Sequence, residues 1–279
     1  MSSSIITPAS VFCKEILVDL RLIFLYNTTD MEKPIQKLIK VGITGSSGNI
    51  GSTLQKGLSE KYQLCLFDLK PDSSPGGPVF TKVDFGNKAE LDGIFNGLDA
   101  LIHLAGNPRP DAPRAQTFRN NFLATSLVFE QARAAKVKKI VYASSNFYHE
   151  SAIAEILRGG SKQRLTLDMP PSPICLYGES KVFGESLGRH LSYLGMQFVA
   201  LRIGWTVPQD DPALYGGDYM RAVFCSKRDL VQAFDKALEV QADFLAAFVT
   251  SDNTRNVFDL AETKKKLGFA PLDNAESYF

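Results

Sequence analysis

Tyr177-Gly-Glu-Ser-Lys181 places a phenol and an ammonium four residues apart. On a helix that spacing sets both groups on one face. An ammonium beside a phenol favours the phenolate and lowers the tyrosine pKa. A tyrosine so tuned takes a proton from an alcohol while hydride leaves the carbon, or returns it. A hydroxyl is also needed to orient the substrate oxygen. The run-end Ala143-Ser144-Ser145-Asn146 offers one, from Ser144 or Ser145. A Tyr-x-x-x-Lys pair by itself is a common accident, so the pair needs a hydride acceptor encoded elsewhere in the chain.

Residues 41–51, VGITGSSGNIG, encode a site for one. The apolar alternation of Ile39, Val41 and Ile43 reads as a short buried strand, and Asn49 to Leu58 reads as a helix. Gly45, Gly48 and Gly51 fall on the turn between them, while Gly42 lies inside the strand. Glycine lets the backbone turn tightly and lets a phosphate come close, and a helix N-terminus adds free N–H groups. The spacing Gly45-x-x-Gly48-x-x-Gly51 differs from the G-x-G-x-x-G fingerprint. The next strand-like run ends in Phe67-Asp68. An acidic group there binds both hydroxyls of an adenosine ribose and repels a 2′-phosphate, which favours NAD over NADP despite the nearby Lys70. Asp84, after the third strand, reads as a neighbour of the adenine or as a loop cap.

These groups need a frame. Strand-like runs occur at 39–44, 62–68, 79–83, 99–104, 138–145 and 197–203, with helical stretches near 49–60, 87–97, 115–135 and 178–195. The alternation predicts an α/β protein with a doubly wound, parallel, Rossmann-type sheet. Residues 146–175 form a long connection, and 205–227 are rich in turn formers. A helix near 228–239, a strand near 243–249 and a helix near 259–267 are expected to gather into a small cap over the carboxyl ends of the strands. The organisation is thus an extension over 1–37, a Rossmann domain over 38–204 with an insertion at 146–175, and a cap region over 205–279 with one helix returning to the sheet.

The chain has 279 residues, 44% hydrophobic and 22% charged, and a net charge of +1. That balance argues against binding nucleic acid or an anionic membrane. No run is long and apolar enough for a membrane span. Cys13, Cys65, Cys175 and Cys225 are scattered and read as free thiols of a reducing, cytoplasmic compartment. Three histidines make a metal site unexpected. Residues 11–26, VFCKEILVDLRLIFLY, are apolar but carry Lys14, Glu15, Asp19 and Arg21, which suits neither a secretory signal nor a mitochondrial leader. Leu and Phe residues at helical spacing over 118–129 read as core, or as the helix-pair contact of a homodimer.

TGSSGNIG (44–51), LFDL (66–69), DALIHLAG (99–106), Asn120-Asn121, VYASS (141–145), YGESK (177–181) and LRIG (201–204) together resemble the short-chain dehydrogenase/reductase superfamily, in its extended, epimerase/dehydratase branch. The resemblance implies Ser145, Tyr177 and Lys181 as the catalytic triad. It implies a cofactor NAD lined by Gly45, Ser47, Gly48, Asn49, Ile50, Asp68, Asp84, Phe85, Leu104, Ala105, Gly106 and Ile203, with Tyr177 and Lys181, and with Asn121 bracing the site through backbone contacts. ASSN (143–146), LYGESKVFGE (176–185), LRIGW (201–205) and SDNTRNVFDL (251–260) narrow the resemblance to uronate dehydrogenases and their relatives. That implies a sugar or sugar-acid substrate touched by Asn107, Ser145, Asn146 and Tyr177. Phe147 stands where that family resembles Ser-Ser-Asn-His, and no arginine matches the family's carboxylate partner, with Arg221 and Tyr219 only nearby. Arg202 reads as a salt-bridge partner, and Arg109 and Arg114 as a solvated loop face or an acid clamp. A sugar epimerase that retains its NAD and a non-catalytic NAD binder are the competing readings.

Overall fold

The computed structural model describes residues 40–70 and 78–279; the extension at 1–37 lies outside the described residues. Seven strands form one sheet: β1 Lys40–Thr44, β2 Gln63–Asp68, β3 Val79–Lys82, β4 Ala100–His103, β5 Lys139–Ser145, β6 Gln197–Ile203 and β7 Phe244–Val249. Their spatial order is β3-β2-β1-β4-β5-β6-β7, and every pairing is parallel. The central strands carry near-continuous apolar runs because both of their faces are covered; all seven residues of β5 are buried. The order reverses between β1 and β4, and a crevice opens at the carboxyl ends of strands on either side of such a reversal.

Helices α1 Asn49–Leu58 and α7 Lys227–Glu239 cover one face, burying Leu54, Leu58, Leu230 and Phe234 against Val41, Ile43 and Val199. The other face is covered by α3 Ala124–Ala134 and α5 Leu176–Tyr193, which follow α2 Arg114–Thr117 and precede α6 Gly217–Val223. Val128, Phe129 and Leu191 meet Leu101, Ile140, Tyr142 and Phe198 there. Between α2 and α3 the rod widens into a π-helical segment, Phe118–Leu123. Beyond the carboxyl ends a smaller core joins Ile153 of α4 (Glu150–Leu157) to Val223, Phe248 and Phe258.

Two expectations change. The stretch 87–97 holds only a 3-10 turn, Lys88–Glu90, because Gly93 (φ +70°) and Gly97 (φ +76°) take left-handed conformations that stop a helix. Leu91 and Phe95 still reach the core from turns. The strand expected in the cap is β7, which extends the sheet in register with β6, Phe198 opposite Phe244. Its helix α7 packs on the sheet too, since FLAAFV has the buried-strand pattern and α7 carries a continuous apolar stripe. What covers the carboxyl ends is 205–226 together with the connection after β5, itself partly helical in α4; α8 Ala261–Leu267 packs near β7.

Candidate active site

The backbone of the β1–α1 turn shapes one end of the site. Gly45 has φ +71°, and a Cβ there would lie 2.8 Å from the Ala105 amide nitrogen. A Cβ on Gly51 would run into the Gly45 and Ser46 carbonyls. No side chain caps α1, so its first-turn N–H groups remain free for an anion. The Asp68 carboxylate, at the end of β2, accepts from the Ser47 amide at 2.9 Å and the Lys70 amide at 3.2 Å. Ser47 Oγ donates to the Lys70 carbonyl at 2.8 Å, closing the turn onto the strand end. Asp84 is held by Arg119 at 2.5 Å, and that hydrogen bond keeps its carboxyl below the usual range against a smaller burial effect.

The other end is set by α5. Gly184 of this helix lies so close to the Tyr142 ring that a Cβ would not fit. That approach carries Tyr177 and Lys181 to the end of β5. Lys181 is buried, donates to the Ala143 carbonyl at 2.8 Å, and sits 5.4 Å from the Tyr177 ring centroid. Burial pushes its pKa down to about 8, opposed by the charge of Glu185. Tyr177 departs from expectation. Its phenol is raised, not lowered: burial dominates, and a hydrogen bond with Ser145 offsets only part of it. The ammonium engages a backbone carbonyl instead of the phenol oxygen.

The two serines separate cleanly. Ser144 Oγ donates to Glu185 Oε1 at 2.5 Å, inside a buried network in which Arg202 holds Glu185 with Nε and Nη2 and meets His149 Nε2 at 3.0 Å. Arg202 is therefore the salt-bridge partner that its type suggests. Ser145 Oγ accepts from the Phe147 amide and lies 3.1 Å from Asn146 Oδ1. Asn146 Nδ2 donates to Tyr219 Oη at 2.6 Å. Burial lifts the Tyr219 phenol to about 12, against a smaller lowering by Asn146.

One cleft of about 960 Å³ joins both ends. Gly45, Ser47, Gly48, Asn49, Ile50, Asp68, Asp84, Phe85, Leu104, Ala105, Gly106 and Ile203 line it, as do Asn107, Ser145, Asn146, Tyr177 and Lys181. Asn121 is the exception: it is buried behind the wall. It accepts from the Asn107 amide at 2.9 Å and donates to the Asn107 carbonyl at 3.0 Å, so it fixes that loop from outside. Arg109 pairs with Asp111 in solvent, Arg114 lies over the Phe118 ring, and Arg221 pairs with Glu276; none lines the cleft. Sequence reasoning missed Trp205, Thr206 and Pro208, which line the cleft after β6. Thr206 Oγ1 accepts from Asn49 Nδ2 at 3.1 Å, tying the two ends together. The Trp after LRIG was the available signal.

Residues 41–207 match the NAD dependent epimerase/dehydratase family, and the chain belongs to it. L-arabinose 1-dehydrogenase (NAD(P)(+)) of Haloferax volcanii is 29% identical, over 85% of this chain and 98% of its own length. The NAD-dependent glucose-6-phosphate dehydrogenase of the same organism is 30% identical, over 85% and 94%. Among solved structures, uronate dehydrogenase from Agrobacterium tumefaciens superposes with a TM-score of 0.74 at 27% identity, covering 87% of this chain and 88% of that one. Among the described residues no helix is long and apolar enough to cross a membrane.

Proposed function

We propose that the protein is an NAD-dependent dehydrogenase that oxidises an alcohol carbon of a sugar or sugar acid. The observation that carries this reading is the continuity of the cleft, from the uncapped turn at Gly45–Gly51 and Asp68 to Ser145, Tyr177 and Lys181. The donor set fits the cofactor: free amides for a pyrophosphate, a carboxylate for a ribose, and no room for a Cβ at Gly45. Bound NAD supplies the hydride acceptor. The Ser145 hydroxyl orients the substrate oxygen, and Tyr177 takes its proton. Burial disfavours charge on Tyr177 and on Lys181 taken singly, and a phenolate facing the ammonium offsets that cost for both. Asn107 and Asn146 contact the sugar, and Asn121 holds the Asn107 backbone in place.

The test is incubation of the purified protein with NAD and a panel of aldoses, hexuronates and nucleotide-sugars, following absorbance of the reduced cofactor. Reduced cofactor accumulating in step with sugar consumed is the expected result. Turnover of a sugar to its epimer with no accumulation would replace a dehydrogenase by an epimerase.

A further inference from the structure

We infer that the sugar is uncharged: an aldose seated against Trp205 and the Asn146–Tyr219 pair, in preference to a hexuronate or a sugar phosphate. This deepens the proposed function and rests on it. The end of the cleft around Tyr177 is walled by Asn107, Pro108, Asn146, Phe147 and Trp205, all without charge. Among the described residues lining the whole cleft there is no arginine or histidine, and two lysines. Lys70 follows Asp68 at the opposite end, and Lys181, bound to the Ala143 carbonyl, is the cation that the Tyr177 phenolate takes up. The guanidiniums nearby in sequence are engaged elsewhere and do not line the cleft: Arg109, next to Pro108, pairs with Asp111 at 2.9 Å, Arg202 with Glu185 at 2.9 Å, and Arg221 with Glu276 at 2.9 Å. A carboxylate or phosphate entering this end would lose water and gain no cation, a costly exchange.

The uncharged groups instead suit a sugar. Trp205 is 44% exposed and is flanked by Tyr219 at 5.9 Å and Tyr215 at 6.0 Å between ring centroids. That is an aromatic surface for the C–H face of a pyranose. Tyr219 reaches Asn146, and Asn146 reaches Ser145, so a run of neutral polar groups leads from the platform to the acid/base tyrosine. Their amide and hydroxyl groups can exchange hydrogen bonds with sugar hydroxyls, which both donate and accept.

The experiment compares substrates that differ only at C6: D-galactose with D-galacturonate, and D-glucose with D-glucuronate and D-glucose 6-phosphate, each with the full chain and NAD. The expected result is a kcat/KM about tenfold or more higher for the neutral member of each series. Equal or higher values for a uronate or phosphate overturn this inference and leave the dehydrogenase reading standing. Failure of every sugar to reduce NAD overturns that reading. Trp205 is the sole tryptophan of the chain, so its emission in the presence of NADH reports sugar binding independently of turnover. Saturable quenching by the neutral sugars at concentrations where the anionic ones are silent supports the inference; quenching by the anions first, or by none, overturns it. A Trp205→Ala variant is expected to raise KM for the neutral sugar about tenfold with NAD affinity retained; an unchanged KM removes the platform from the account.

Discussion

The two ends of the cleft are built from different materials. At the Gly45–Asp68 end the groups facing the cleft are mostly backbone: a left-handed glycine, uncapped amides and one carboxylate fixed by an amide. At the Tyr177 end they are side chains drawn from β5, α5 and the segment after β6. The first end depends on local sequence, a strand, a tight turn and a helix start in one run. The second depends on distant elements arriving together. One end is therefore sensitive to any Cβ, and the other to the identity of single functional groups.

The largest effect expected from this difference is at Gly45. Gly45→Ala places a Cβ against the Ala105 backbone in a left-handed conformation, at a cost of about 2 kcal/mol or more in stability. NAD binding, followed by NADH fluorescence or calorimetry, is expected to be lost. Retained affinity would mean that the turn is not the phosphate site. A smaller effect is expected at Asn121. Asn121→Ala removes both partners of the Asn107 backbone, a loss of about 1–3 kcal/mol. Because Asn121 stands behind the wall, the loss is expected in KM for the sugar, with NAD affinity little changed. Equal losses for both ligands would show that the two ends do not behave independently.

Taken per pH unit, the smallest effect is in acid, where each end rests on a buried neutral imidazole. His103 lies between Thr44 and Thr125 beneath the Gly45 end, and burial holds its pKa down at about 3. His149 accepts from Arg202 beneath the Tyr177 end, and burial, helped by that guanidinium, holds it at about 4. The unfolded chain takes up these protons near pH 6.5, whereas the folded chain does not until far lower pH. Each imidazole thus contributes stability that is complete above about pH 6.5 and is lost as the pH falls towards its folded value, at roughly 1.4 kcal/mol per pH unit. Denaturant unfolding between these limits is expected to lose one such slope in His103→Gln and one in His149→Gln. An unchanged slope would mean that the imidazole is already charged in the fold.

The same contrast decides how much was legible in the sequence. The six strands from β1 to β6, and the glycine turn, follow from apolar runs and from glycines at fixed offsets, signals carried by neighbouring residues. The 87–97 stretch was misread because its apolar spacing suits a helix while Gly93 and Gly97 forbid one. The fate of β7 was hidden because a strand pattern does not name its neighbour; only the pairing Phe198–Phe244 does. The choice between Ser144 and Ser145 was open because adjacent strand residues face opposite sides, and the side that holds Glu185 is fixed by α5. Trp205 and Thr206 escaped notice because their role comes from proximity to Tyr219 and Asn49, far away in the chain.

The central claim is that the phenol of Tyr177 works on a substrate beside NAD held by the Gly45 turn, and one variant tests it. In Tyr177→Phe the ring stays and the hydroxyl goes. NAD is expected to bind as in the unaltered protein, while kcat for sugar oxidation falls by about 10²–10⁴-fold. A Tyr177→Phe protein that binds NAD and turns over sugar at the unaltered rate would contradict the account.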